Sequence, residues 1–186
     1  MSSGGLASGN HPLEAVSRGV WERVGHHAAP LWRQRGEAER LRTRLSLDTV
    51  DDAGCRELLE RYARAGVEVA VWETTSDIGL ASFLCTIDER EPHPARPIPP
   101  MTGMGCHPAR EVALMRALTE AAQSRLTFIA GSRDDLLSGA YGRGRDLDAL
   151  RYWRERTRGE RPMRHFHEAP TYHEESFEED VDWEVK

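Results

Sequence analysis

Hydrophobic and polar positions along the chain fall into two long helical patterns with two short strand patterns between them. Residues 12–33 are helical. With Glu14 as origin and 100° per residue, Leu13, Val16, Val20, Val24 and Leu31 lie between about 200° and 280°, while Arg18 lies near 40°, Glu22 near 80° and Gly25 near 20°. One arc is therefore apolar, and the opposite arc carries two carboxylates. Asn10 is the expected N-cap, Pro12 suits the first turn, and Glu14 complements the positive helix end. Residues 51–65 predict a second helix, opened by Asp51-Asp52 and closed by Gly66. Val67 to Thr75 and Ala81 to Ile87 alternate as strands do, with a turn between them. Six of the ten prolines then lie between Pro92 and Pro108, which predicts a loop without regular structure. A helix over 109–130 follows, then polar, Arg-rich sequence with a short helix expected over 146–156, then an acidic end. There is no internal repeat.

The helix over 109–130 differs from the first. With Arg116 as origin, Glu120 falls near 40°, Gln123 near 340° and Thr127 near 20°, and almost all the rest is apolar or small. This predicts a buried helix with one narrow polar stripe. A charge on such a stripe is expensive unless it is paired or bound. Arg116 and Glu120 stand four residues apart, so they either pair with each other or line a ligand wall. The first helix also has two readings. Its polar arc is solvated, or Asn10, Glu14 and Glu22 line a cleft that binds a cation through oxygen ligands.

Composition narrows the classes. The chain of 186 residues carries 30% charged and 39% hydrophobic residues, with five Trp, four Tyr and four Phe, as a wet but globular protein does. No apolar run approaches the roughly 18 residues of a membrane span. The first residues predict no secretory signal. Three separated cysteines without a Cys-x-x-Cys pair support neither a disulfide framework nor a zinc site, and the cytoplasm is the expected compartment. The net charge of −6 is not evenly spread. Seven acids lie between Glu174 and Glu184, so residues 1–173 hold 24 acids against 24 bases, every one of them Arg. A neutral body offers no electrostatic footprint for nucleic acid.

Smaller motifs carry weaker signals. Gly103-x-Gly105 before a helix could present backbone N–H groups to a phosphate, but it lacks the Lys and Ser/Thr of a Walker A loop. Cys106-His107 are neighbours in sequence, a poor geometry for a nucleophile and its base. His26-His27 lack the spacing of a helical metal pair. His165, His167 and His173 read as surface histidines before metal ligands. The acidic end lacks the glycine-centred spacing of a calcium loop.

Taken together, the segments resemble a known family. The stretch Gly103-Met-Gly-Cys-His-Pro-Ala-Arg-Glu-Val-Ala-Leu-Met-Arg-Ala-Leu-Thr-Glu-Ala-Ala-Gln-Ser-Arg125, followed by Ile129-Ala-Gly-Ser-Arg-Asp-Asp135, closely resembles the signature of the YcaO family. Gly5-Leu-Ala-Ser-Gly-Asn10 followed by Glu14-Ala, and Glu73-x-Thr75-x-Asp77, fit it in order and spacing across roughly residues 5–140. The flavour is that of members acting beside a TfuA-type partner. The resemblance implies ATP-dependent activation of a peptide backbone amide, giving an azoline with a side-chain nucleophile or a thioamide with an external sulfur donor. It implies ATP and Mg²⁺ as cofactors. Asn10, Glu14 and Glu22 fall on family positions around the nucleotide and its metal, and Arg116, Glu120 and Gln123 match the second helix of the site. Glu14, Glu22 and Glu120 are the implied metal ligands.

The departures from the family pattern are specific. Where the family has Glu three residues after Glu22 and then Arg, this chain has Gly25 and His26. A glycine offers no ligand, and a histidine is not a permanent cation. The family's Ser-x-Glu-x-x-Glu-Arg helix and its closing strands have no counterpart here. The expected fold is α+β, with helices packed on a mixed β-sheet, as an incomplete YcaO-like domain over residues 1–173 and an acidic segment over 174–186. Expected partners are a peptide or protein substrate, a TfuA-like protein or the missing half of the domain, and a homo-oligomer; nucleic acid and membrane are not expected. The rival reading is a degenerate module that binds a partner without catalysis.

Overall fold

The computed structural model describes Gly5 and residues 7–91, 98–131, 154–155, 161–173 and 176–184. The helix expected over 146–156 and the motif residues Ser132–Asp135 lie almost wholly outside these. The described elements are α1 (Pro12–Gln34), α2 (Glu37–Arg42), α3 (Ala53–Arg64), β1 (Val67–Glu73), β2 (Ala81–Glu89), β3 (Met101–His107), α4 (Arg110–Ala130) and α5 (Phe177–Glu184), with single 3₁₀ turns at Leu47–Thr49 and Phe166–Glu168.

Local sequence explains most boundaries. Asp52 accepts the Cys55 N–H at 2.8 Å and opens α3. α1 begins at Pro12, but its cap is His11 rather than the expected Asn10: the ring Nδ1 of His11 accepts the Leu13 N–H at 3.3 Å. The Asn10 backbone N–H is satisfied instead by Glu14 Oε2 at 2.8 Å, as in a capping box shifted by one residue. Pro30 lies inside α1 and leaves the His26 carbonyl without its intrahelical donor.

The three strands form an antiparallel sheet in the order β1-β2-β3, with registers Val69↔Ile87 and Cys85↔Gly103. Bridges at its margin add one antiparallel contact, Arg44↔Trp72, and one parallel contact, Leu45↔Arg164. The central strand β2 is buried on both faces. Its Ala81, Phe83, Cys85 and Ile87 pack with Ala113, Leu114, Ala117, Leu118 and Ala121 of α4 in the main core. On the other face Leu84 packs with Trp72 and with Trp32 of α1. The sheet is thus sandwiched, with α4 and α3 on one side and α1 on the other.

β3 overturns the expectation of an irregular loop over 92–108. The prolines stop at Pro100 and resume at Pro108, leaving seven Pro-free residues that pair fully with β2. Gly103 and Gly105 are therefore strand residues and not a phosphate-binding turn. Both point at α4. A Cβ on Gly105 would collide with the Ala113 carbonyl oxygen, and one on Gly103 with the Ala121 nitrogen. The Ala113, Ala117 and Ala121 stripe of α4 lies directly on this bare stretch of strand. At the start of α4, Thr171 Oγ1 accepts the Arg110 N–H at 3.3 Å, and His107 Nδ1 accepts the Ala109 N–H at 2.9 Å.

The orientation of α1 is the second correction. The inward residues are Ser17, Trp21, Gly25, Ala28, Ala29 and Trp32. The face near Glu14 and Gly25 is turned to the sheet, and the valine arc is turned away from it. Tight packing decides this: Gly25 lets α1 settle against Cys106 of β3, and the two tryptophans fill the space on either side. The acidic end also takes part in the fold. α5 packs on α1, and its Trp183 joins a cluster with Trp21, Leu80 and Cys106 while stacking on Tyr172 at 4.3 Å.

Candidate functional site

β3 is the edge strand of the sheet, with α1 on one face and α4 on the other. At that edge the three elements enclose a small cavity of about 70 Å³, lined by Trp21, Glu22, Gly25 and His26 of α1, Met104, Gly105 and Cys106 of β3, and Arg116 and Glu120 of α4. Three candidate residues separated by nearly a hundred positions, Glu22, Arg116 and Glu120, therefore meet at one place.

Each charged group has a definable state. Glu22 Oε1 lies 3.7 Å from His26 Nε2, one helical turn away. The Glu120 carboxyl is held above the usual range by desolvation; the Met104 N–H that donates to it, and the nearby His26 and Arg116, act in the opposite sense. Arg116 thus acts on Glu120 through its charge, and no direct ion pair joins them among the described residues. The stripe on α4 is a wall and not a closed pair.

The other candidates lie elsewhere. Glu14 accepts the Asn10 N–H and pairs with Arg18 at 2.7 Å, so it serves the helix terminus. Neither Asn10 nor Glu14 lines the cavity, and Gln123 is exposed on α4 outside it.

Sequence reasoning missed several members of the site. Met104 enters through its backbone N–H, which only a strand edge makes available. Trp21 lies 340° from Glu14 on the 100° spacing, hence on the inward face, and was legible had the glycine rather than the valines been used to orient the helix. His107 packs against Trp21, with ring centroids 4.2 Å apart and planes tilted by 59°. Burial, and then the charge of Arg116, push its ring down to about 4, so it is neutral with the proton on Nε2. Cys106 lies against Gly25, and the Nδ1 lone pair of His107 is taken by the Ala109 N–H, which weakens the nucleophile–base reading. Burial also raises Cys85 far above the thiol range, as befits a core residue.

The donor set suits Mg²⁺ and phosphate in kind: two carboxylates for a hard cation and a guanidinium for an anion. It falls short in number and space. Among the described residues no group of three or more His, Cys, Asp and Glu is placed to hold a metal ion. The cavity is well below the roughly 300–1,000 Å³ of pockets that enclose cofactors. Glu22, Arg116 and Glu120 line an edge of the sheet rather than an enclosed pocket. Among the described residues no helix is long and apolar enough to cross a membrane.

Comparison with known proteins agrees with the resemblance drawn from Gly103–Arg125 and Asn10–Glu14. The chain is 38% identical over 181 residues to a protein of the tfuA 3′ region of Rhizobium leguminosarum bv. trifolii, covering 92% of this chain and 41% of that one. It is 32% identical over 159 residues to a protein of Methanothermobacter thermautotrophicus, covering 82% of this chain and 39% of that one. The chain spans about two-fifths of the length of these relatives. In fold it is similar to the heterocyclase TruD, with a TM-score of 0.69 and 24% identity over 99% of this chain and 24% of that one. It is also similar to YcaO from Methanopyrus kandleri bound with AMPPCP and Mg²⁺, with a TM-score of 0.50 and 20% identity over 70% of this chain and 33% of that one. The pattern of the YcaO cyclodehydratases, described as ATP- and Mg²⁺-binding, matches residues 1–186 in full. An α+β sandwich that gathers Glu22, Arg116 and Glu120 at one sheet edge, carried on this sequence, belongs to the YcaO family.

Proposed function

We propose that this chain contributes part of an ATP-dependent enzyme that modifies a peptide backbone amide, by thioamidation or by azoline-forming cyclodehydration, with the rest of the domain supplied by further polypeptide. The convergence of Glu22, Glu120 and Arg116 at the β3 edge carries this reading. Glu22 and Glu120 would lend carboxylate oxygens to Mg²⁺, and Arg116 would offset phosphate charge; ATP, when bound, supplies the phosphoryl group that turns the amide oxygen into a leaving group. The Met104 N–H keeps the Glu120 carboxylate aimed along the sheet edge. Trp21 and the neutral His107 exclude water on the inner side. The relative from a tfuA 3′ region supports a TfuA-like partner and, with it, thioamidation. In this reading residues 1–173 are the partial domain and 174–186 an acidic segment, whose helix α5 packs on α1. The three cysteines are buried and outside any disulfide, which supports the cytoplasmic compartment in this reading.

The test is calorimetry with Mg-ATP on the chain assembled with the remainder of the domain, followed by mass spectrometry of a peptide substrate. Binding that weakens at least tenfold in Glu22→Gln, with loss of water or exchange of oxygen for sulfur in the peptide, is expected. Unchanged affinity in Glu22→Gln refutes the site. Absence of any Mg-ATP binding favours the second reading, a non-catalytic module that binds a partner protein or peptide. One observation supports that reading: a Cβ on residue 25 would lie 2.9 Å from the Cys106 Cβ, so the position has been closed to a further ligand.

A further inference from the structure

Arginine is concentrated where α1 ends and α2 follows. Residues 33–44 hold Arg33, Arg35, Arg40, Arg42 and Arg44 against Glu37 and Glu39, a net charge of +3 in a chain whose total is −6, so the remainder sums to −9. The helix ends explain part of this, since Arg33 complements the C-terminal carbonyls of α1, and Arg40 and Arg42 those of α2. The packing adds what helix ends do not require. The Arg40 guanidinium lies 5.7 Å from the centroid of Trp32, the Arg44 guanidinium lies 5.9 Å from that of Trp72, and the two indoles are 6.0 Å apart. Trp32 and Trp72 are buried, and the Trp32 indole N–H donates to Thr43 Oγ1 at 2.9 Å, so the rings beneath the arginines are fixed. Arg40 is held by its ring and not by a carboxylate: its Nε is buried without a hydrogen-bond partner. Among the described residues Arg33, Arg40 and Arg42 form no ion pair. Arg35 reaches the Thr75 carbonyl at 3.5 Å and stands 3.8 Å from Glu39, both at the outer limit of contact. Arg44 is buried and adds its charge from beneath.

A guanidinium already ordered on an aromatic face meets a carboxylate with two hydrogen bonds at little further cost in side-chain freedom. We propose that this arginine platform is a docking site for an acidic segment of a partner polypeptide. Arg40 and Arg35 take its carboxylates, and Arg33 and Arg42 flank them. A short acidic segment meets the platform alone. A nucleic acid would run beyond it onto a surface that is negative in sum, which disfavours that class of partner. The platform lies C-terminal to the cavity residues of α1, Trp21 to His26, so the inference does not depend on the nucleotide reading.

The experiment titrates the whole chain, by calorimetry, with a synthetic peptide in which Glu alternates with Gly, at about 20 mM and about 300 mM salt. Binding is expected at the lower salt and should weaken at least tenfold at the higher. Arg40→Gln and the double variant Arg35→Gln/Arg42→Gln should each weaken it at least fivefold. Arg61→Gln, on exposed surface of α3, should leave it within twofold. The same peptide with Gln in place of Glu should not bind. Arg35 and Arg42 both meet water, so their replacement keeps the fold, checked by circular dichroism, and the double variant decides the matter where Arg40→Gln loosens α2. No binding of the acidic peptide, or binding that the platform variants leave unchanged, overturns the proposal. An oligothymidylate of equal charge that binds more tightly than the peptide also overturns it, by giving the surface to nucleic acid. Self-association at low salt that Glu178→Gln/Glu179→Gln abolishes does so as well, by giving the surface to the acidic end of a second copy.

Discussion

Replacing Gly25 by alanine sets two physical effects against each other. Residue 25 lies inside α1, where Gly→Ala alone should stabilise by about 1 kcal/mol through helix propensity. The packing reverses the sign. The new Cβ would lie 2.9 Å from the Cβ of Cys106, which is 5% exposed on a strand held in register by β2. Neither atom is the free end of a flexible side chain, so helix or strand must shift. Overpacking of this kind costs about 1–3 kcal/mol, which outweighs or cancels the propensity gain. The assay is urea unfolding of four proteins: wild type, Gly25→Ala, Cys106→Gly and the double variant. Gly25→Ala should lower the midpoint in the wild-type background and raise it in Cys106→Gly, where the obstructing Cβ is gone. The coupling between the two positions should be about 1–3 kcal/mol. Equal stabilisation by Gly25→Ala in both backgrounds would refute the contact, and with it the account of why α1 sits where it does.

Other consequences can be checked separately. Gly105→Ala should destabilise more than Gly25→Ala, because its Cβ would meet main-chain atoms of Ala113 and Ala117 that cannot rotate away; unfolding midpoints of the two variants decide this. His107 titrates at about 4 in the folded chain against 6.5 when free, so stability should fall as pH drops from about 6.5 through 4, and His107→Gln should remove that part of the slope. Nuclear magnetic resonance should find this ring neutral at pH 5.5. Glu120 runs the other way: its raised pKa means stability declines as pH rises above about 4.5, and Glu120→Gln should flatten that decline while keeping a hydrogen bond to Met104. Gly25→Glu should not create cation binding, measured with Mn²⁺ by calorimetry, since the side chain has nowhere to go unless α1 lifts from β3.

Periodicity located α1, α3, β1, β2 and α4 to within a few residues, since each carries its own pattern and stop signal. It also put Glu22, Arg116 and Glu120 on polar arcs that do meet. It failed where the decisive interaction is between elements. The proline count concealed β3, because a Pro-free run of seven residues is long enough to pair with β2. Gly103 and Gly105 looked like a turn, since nothing local reveals a helix lying on them. The valines of α1 pointed to the wrong inward face, because close packing of Gly25 on Cys106 outranks hydrophobicity when part of the apolar surface has no described partner. Glu14, a candidate cation ligand, accepts the Asn10 N–H and pairs with Arg18, contacts that its spacing from both residues permits.

The contact between α4 and β3 has a bearing on how this protein can vary. Helix and strand meet main chain to main chain at Gly103 and Gly105, with no side chain serving as a spacer. The height of Arg116 and Glu120 above the strand edge is therefore set by peptide geometry and does not depend on the size of any core residue. Substitutions elsewhere in the core can drift without moving these two groups. The same arrangement leaves no gradual route to a wider site: enlarging either glycine would lift the whole helix at once.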